Sequence, residues 1–263
     1  MAEYSILIGG KAGEGINQAG SIIAQLFNTI GYRTYVYFDY PSLIRGGHNF
    51  SIIRASKDKV ETHRNKVDFI LALNQDCVTS HKDRLKDDSI IIYDADTVKA
   101  DGRGFSITKI AKEEKAEPIM RNSCIIGCFA KTAGIAWDVL EAVLRKSITR
   151  ETELNLKLAR RGYDAAEEAR RIEPIQQKSI PILTGNEAVG MGLVKGGLKN
   201  YISYPMTPTS SLLHFLAQEA EKFSIKVIHP ENEISVILMA LGFSYMGERT
   251  AVGTSGGGFC LMT

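Results

Sequence analysis

Apolar positions along this chain switch repeatedly between a period of two and a period of three to four, and the switching lays out an alternation of strands and helices. Residues 4–8 form an apolar run of strand length that stops at Gly9-Gly10-Lys11-Ala12-Gly13-Glu14-Gly15. The next stretch, INQAGSIIAQLFNTIG, repeats apolar residues at helical spacing and closes on Gly31, a helix-ending residue. Residues 33–38 read as a second strand, the loop DYPSLIRGGHN follows, and FSIIRAS reads as a third. VDFILAL and SIIIYDA continue the strand series, helical spacing dominates residues 122–146, and ETELNLKLARRGYDAAEEARRI adds a charged amphipathic helix over 151–172.

Residues 173–181 are polar, carry prolines at 174 and 181 and hold neither period, so they read as a linker. This gives a first domain over 1–172 and a second over 182–263. The second opens with LTGNEAVGMGLVKGGL, a helix entered from a cap at 184–186, with Gly190, Gly192 and Gly196 placed for close packing. YISYP, KVIHP and TAVGTSG then read as strands, separated by the helices PTSSLLHFLAQEAEKF and ENEISVILMALGFSYMG. The fold class is α/β: two successive parallel-sheet units, the second only partly laid down when the sequence stops just past a glycine turn.

A length of 263 residues suits two such domains, and 24% charged with 44% hydrophobic residues is an ordinary globular balance. The formal charge of +2 gives no basic face for nucleic acid, and no apolar run approaches a membrane span. The opening MAEYSILIGG lacks the basic region of a secretory signal, and the four cysteines, 77, 124, 128 and 260, form no close pairs suited to zinc or iron–sulfur ligation. Buried, reduced thiols in a cytoplasmic protein are the expectation, with no metal ligated by this chain.

Four segments carry candidate chemistry. GGKAGEG, with Gly10, Gly13 and Gly15, leaves a strand and enters a helix, where backbone N–H groups and the helix dipole favour an anion; its spacing is neither a P-loop nor an ordered GxGxxG, so a plain tight turn competes with phosphate binding. A dinucleotide reading would require Asp39 as the ribose partner. Arg45, Gly46, Gly47 and His48 place a cation and an imidazole on backbone that can approach a ligand or a partner subunit closely. In YPMTP, Pro205 and Pro208 stiffen the loop around Thr207, presenting its hydroxyl at a strand's carboxyl end, where open α/β sheets bind ligands; a turn ahead of a capped helix competes. Glu231 and Glu233 stand at a strand-to-helix junction. Glu231 or Asn232 can be an ordinary cap and Glu233 can be first-turn decoration, but Glu233 precedes an apolar helix, and a carboxyl buried there is a suitable proton donor to a ring nitrogen.

Taken together, GNEAVGMGLVKGG, YPMTPTSS, ENEISVILMALGFSYMG and TSGGGF resemble the pyrimidine-binding domain of the 2-oxoacid:ferredoxin oxidoreductases, and GGKAGEG, YPSLIRGGHNF and IIRAS resemble the gamma domain fused ahead of it in many members. The resemblance implies a 2-oxoglutarate-type alpha subunit with fused gamma domain, working in oxidative decarboxylation of a 2-oxoacid to acyl-CoA with reduction of ferredoxin. It places Glu233 on the aminopyrimidine of thiamine diphosphate, Thr207 on the substrate, and Tyr204 and Pro205 in the loop that shapes the site. It implies coenzyme A as co-substrate, a beta subunit holding magnesium and the cofactor's diphosphate, and iron–sulfur clusters on a ferredoxin-like subunit or ferredoxin. Met206 departs from the isoleucine common in the motif. The family's alpha subunit continues past TSGGGF, so a truncated chain, inactive by itself, is expected. A non-catalytic assembly module docking through residues 45–48 and a nucleotide-binding Rossmann protein are the alternatives.

Overall fold

The computed structural model describes residues 3–39 and 47–263, which form two compact units divided between Ile180 and Pro181. The first contains β1 (Glu3–Lys11), α1 (Ile16–Thr29), β2 (Arg33–Asp39), β3 (His48–Ser56), β4 (Val67–Ala72), α2 (Gln75–Thr79), β5 (Leu85–Asp94), β6 (Arg103–Phe105), α3 (Ile107–Glu113), α4 (Arg121–Thr132), α5 (Trp137–Ser147) and α6 (Thr152–Ala165). Its six strands lie in the order β2-β3-β1-β4-β5-β6. β1, β4, β5 and β6 are mutually parallel, and β3 runs against both of its neighbours. Side chains alternate across the sheet as a strand requires: Ile6 and Ile8 enter a core with Ile23, Phe27, Phe129 and Leu158, whereas Leu7 packs with Ile52, Ile70, Cys77 and Val78 on the opposite face.

This strand order bears on the dinucleotide reading. A doubly wound binding fold puts the strand ending in the acidic residue directly beside β1. Here β3 separates them, and Asp39 sits at the sheet's outer strand, where its Oδ2 accepts from the Tyr37 hydroxyl at 3.0 Å.

Two sequence expectations for this unit change in detail. Helical spacing over 122–146 resolves into α4 and α5, broken at Gly134 in the left-handed region (φ 67°). The helix expected to run to 172 ends at Ala165. Beyond it the N–H groups of Ala169 and Arg170 donate to the Thr132 carbonyl and that of Ile172 to Ala133, so residues 166–172 satisfy the open carbonyls at the end of α4 instead of extending α6. Residues 173–180 have no regular structure but are pinned to α1 and β2: Ile175 N–H donates to Ile30 O at 2.8 Å, the Tyr32 hydroxyl to Glu173 O at 2.8 Å, and Asn28 Nδ2 to Ile180 O at 2.7 Å.

The second unit contains α7 (Gly185–Lys195), β7 (Asn200–Ser203), α8 (Ser210–Gln218), α9 (Ala220–Phe223), β8 (Lys226–Ile228), α10 (Glu233–Tyr245), β9 (Thr250–Gly253) and α11 (Gly256–Leu261). Its three strands are parallel in the order β8-β7-β9. Tyr201 packs with Leu212, Leu213 and Leu216 of α8, while the next residue, Ile202, faces Val236 and Ala240 of α10. Thr184 caps α7 in a reciprocal box with Glu187. Of the three glycines expected to pack closely in this helix only Gly190 does, against Phe215 and Leu212; Gly192 faces open space and Gly196 ends the helix.

Candidate functional site

The carboxyl ends of the three strands in the second unit gather the features singled out in its sequence. β7 leads through Ser203 into Tyr204, Pro205, Met206 and Thr207, β8 leads through His229 to Glu233, and β9 leads into Thr254 and Ser255. Contacts between these exits fix the rim. Ser203 Oγ donates to Gly253 O at 2.9 Å, and Ser255 Oγ touches Met206 Sδ, so the proline loop is tied to the turn after β9. Tyr204 is half-buried, packs onto the Ile202, Val236 and Ala240 cluster, and its ring lies 6.1 Å from that of His229. Pro205 is half-buried, and Thr207 is exposed with no hydrogen bond to Glu233 among the described residues. Thr209 immediately precedes α8 but does not cap it with its side chain as expected: its hydroxyl donates back to Met206 O at 2.9 Å, within the proline loop.

Glu233 differs from its neighbour Glu231. The cap of α10 is Asn232, whose side chain accepts from Ser235 N–H at 2.9 Å. Glu231 is exposed, whereas Glu233 is only 5% exposed at the first position of the helix. Its Oε1 is sealed from solvent and has no partner among the described residues. Gly258 of α11 lies against it: a Cβ at that position would stand 2.7 Å from Oε1 and 2.9 Å from Cγ, and would collide with Thr254 Oγ1. A buried carboxyl left unpaired is costly unless something engages it, and the helix dipole favours negative charge at this end. These features fit a group that presents a polar nitrogen to Glu233. The role of Thr254 and Gly258 carried no individual signal in the sequence beyond a glycine-rich turn after a strand.

In the first unit the glycine turn after β1 is filled by its own chain. Gly13 and Gly15 take positive φ (87° and 73°), a conformation that favours glycine, and Gly10 is bare because a Cβ would meet Ile16 and Glu14. Glu14 folds back so that Oε2 accepts from Lys11 N–H at 2.9 Å, while Oε1 is held by Arg121 Nη2 at 2.5 Å. Arg121 also reaches the fully buried Asp94, whose carboxyl accepts from the Thr97 and Thr108 hydroxyls. The anion that this turn holds in the structure is therefore Glu14.

Arg45 and Gly46 lie outside the described residues. Gly47 takes φ 96°, and its carbonyl accepts from Ala12 N–H at 3.1 Å, which joins the start of β3 to the glycine turn. His48 is half-buried and points inward, Nε2 to Nε2 at 2.9 Å from His81, against the ring of Phe50. Burial pushes the His48 imidazole below its ordinary pKa; burial, then the nearby His48 and Arg84, push His81 down to about 4. A Cβ on Gly9 would strike both His48 Cε1 and Cys77 Sγ. The partner of His48 was not legible from sequence, since 33 residues separate the pair.

Cys77, Cys124 and Cys128 are buried, as expected, but Cys260 is exposed in α11. Among the described residues no group of three or more His, Cys, Asp or Glu side chains is placed to hold a metal, and no helix is long and apolar enough to cross a membrane.

The family model for pyruvate ferredoxin/flavodoxin oxidoreductase matches residues 5–165, and the thiamine diphosphate-binding model of pyruvate flavodoxin/ferredoxin oxidoreductases matches residues 191–263. The chain is 24% identical to 2-oxoacid:ferredoxin oxidoreductase 2, subunit alpha, of Aeropyrum pernix, over 100% of its own length and 52% of that protein. It is 28% identical to 2-oxoglutarate synthase subunit KorC of Archaeoglobus fulgidus, over 62% of this chain and 87% of KorC. Among solved structures it is similar to the 2-oxoglutarate:ferredoxin oxidoreductase of Magnetococcus marinus, solved with 2-oxoglutarate, coenzyme A and succinyl-CoA bound. That match has a TM-score of 0.84 at 27% identity and covers 100% of this chain and 49% of the other. The chain thus spans about half the length of the longer relatives it matches.

Proposed function

Because this chain belongs to the pyruvate ferredoxin/flavodoxin oxidoreductase family, we propose that it is the part of a 2-oxoacid:ferredoxin oxidoreductase that carries the gamma-type domain and the pyrimidine-facing edge of the thiamine diphosphate site. The reaction is oxidative decarboxylation of a 2-oxoacid, 2-oxoglutarate or a related acid, to an acyl-CoA, with electrons passed to ferredoxin. The observation that carries this reading is Glu233: a carboxyl sealed at the start of α10, with Oε1 unpartnered, inside the segment matched by the thiamine diphosphate-binding family model.

Thiamine diphosphate, when bound, supplies the nucleophilic carbon and the electron sink that decarboxylation needs. The chain's own residues do the rest of the work assigned to this edge. Glu233 holds a proton at a ring nitrogen, in surroundings that exclude water and so strengthen that hydrogen bond. Thr207, exposed on a loop fixed by Pro205 and Pro208, donates its hydroxyl to an oxygen of the 2-oxoacid. Tyr204 and Pro205 set the height of that loop above the sheet. Magnesium, the cofactor's diphosphate and the iron–sulfur clusters belong to partner subunits in this reading, a beta subunit and a ferredoxin-like subunit or ferredoxin, and the assembly is cytoplasmic. The apolar side chains that α10 leaves exposed, Ile234, Leu238, Leu241 and Tyr245, support an assembled rather than a solitary second unit.

The test is purification of the chain with its partner subunits and an assay of 2-oxoacid- and coenzyme A-dependent reduction of a viologen dye. Glu233→Gln lowers turnover by about 100-fold or more, the range for removing a general acid or base. Wild-type turnover in that variant overturns the assignment of Glu233.

A further inference from the structure

Two buried polar atoms of the second unit that have no partner among the described residues lie against one glycine. They are Glu233 Oε1 and Thr254 Oγ1, and both border the α-carbon of Gly258. Glu233 Oε1 is sealed and without a partner among the described residues, and it faces the Thr254–Gly258 corner.

The corner is built by the turn after β9. Thr254 is the first residue beyond the strand, Ser255 precedes α11 and holds Met206 of the proline loop, and Gly258 brings bare backbone up to the carboxyl. A threonine hydroxyl turns about its C–O bond at little cost and can donate to a carboxylate or accept from a protonated carboxyl. A carboxyl that shares a proton with a ring nitrogen must keep one oxygen on that nitrogen, and a hydroxyl packed beside the group limits how far the carboxyl can turn away.

We infer that Thr254 is a positioning residue for Glu233: its hydroxyl, sealed beside Oε1 at Gly258, orients the carboxyl that the ligand's ring nitrogen engages. This rests on the thiamine-facing role proposed for Glu233 and goes beyond it by naming the residue that orients its carboxyl.

The experiment uses the chain assembled with its partner subunits and titrates thiamine diphosphate in the presence of magnesium, as a function of pH, for Thr254→Val, Thr254→Ser and Glu233→Gln. Hydrogen exchange of α10 and α11 is followed in the same preparations without cofactor. Thr254→Val, which keeps the shape and removes the hydroxyl, weakens cofactor binding about tenfold, the size expected when one hydrogen bond to a charged group is lost, and displaces the pH midpoint of binding. It leaves exchange in α10 and α11 unchanged or slower, because an unpartnered buried hydroxyl has been removed. Thr254→Ser restores both affinity and midpoint. Wild-type affinity and midpoint in Thr254→Val, with binding lost in Glu233→Gln, overturns the positioning role and leaves the proposed function standing. Faster exchange in Thr254→Val without rescue by serine shows a structural role and also overturns it. Wild-type binding in Glu233→Gln sinks the proposed function itself.

Discussion

The carboxyl of Glu233 rests against the bare α-carbon of Gly258, close enough that any side chain there would displace it. Helix α11 thereby forms one wall of the candidate site.

Gly258→Ala tests that wall. The added methyl would sit 2.7 Å from Glu233 Oε1 and would collide with the Thr254 hydroxyl, on backbone that both the Ser203–Gly253 hydrogen bond and α11 hold in place. Overpacking of this kind costs about 1–3 kcal/mol, and relief by swinging Glu233 outward removes the carboxyl from its sealed position. Cofactor affinity in the assembled protein falls by at least tenfold, while Gly256→Ala, whose Cβ meets open space, leaves affinity unchanged. Equal affinity in the two variants would show that α11 does not bound the site.

Much of this arrangement is legible in the order of residues, and the exceptions have a common cause. Period and punctuation locate most of the longer elements, including α10, and narrow its cap to Glu231 or Asn232, because these depend on neighbours within a few positions. The sealed state of Glu233 is foreseeable because the helix that follows it is apolar. What is not legible is pairing across long separations. His48 finds His81, Glu14 finds Arg121, and α6 stops because residues 169–172 bond to the end of α4. The antiparallel course of β3, which removes Asp39 from any ribose, also depends on strand order rather than on the strand's own sequence. Thr254 was invisible for the same reason: its significance lies in what α10 and α11 bring to it.

Arg121 supports the glycine turn through charge. It is 11% exposed and lies between Glu14 and the fully buried Asp94. Breaking a buried pair by removing one partner leaves an uncompensated charge and costs about 3–5 kcal/mol. Asp94 keeps its Thr97 and Thr108 donors, so the lower end of that range applies. Arg121→Met therefore lowers the stability of the first unit by about 3 kcal/mol. The chain's single tryptophan, Trp137, lies in α5, so urea unfolding followed by its fluorescence reports on this unit. A midpoint equal to wild type would mean that Glu14 and Asp94 do not depend on Arg121.

The His48–His81 pair gives the first unit a definite response to acid. Both imidazoles are held below their ordinary pKa, His81 at about 4, chiefly by burial; His48 and Arg84 add to the depression at His81, while Asp39 and Asp83 oppose it. In the unfolded chain a histidine titrates near 6.5. Above that value both states are neutral and the pair costs nothing. As pH falls below about 6.5 the unfolded state takes up protons that the folded pair does not, so stability is lost progressively towards pH 4 and the loss levels off once His81 itself protonates. Glu3 adds to the loss only at the acid end: the hydrogen bonds from Arg54 and Arg64 hold its folded carboxyl down at about 2, so from about pH 5 downward the unfolded chain takes up a proton there that the folded one does not. Urea midpoints read from Trp137 fluorescence therefore fall between pH 6.5 and 4.5 in the wild-type chain and fall less steeply in His81→Phe, which removes one titrating ring and keeps an aromatic side chain against Phe50. Identical slopes in the two proteins would show that this pair does not govern the acid response.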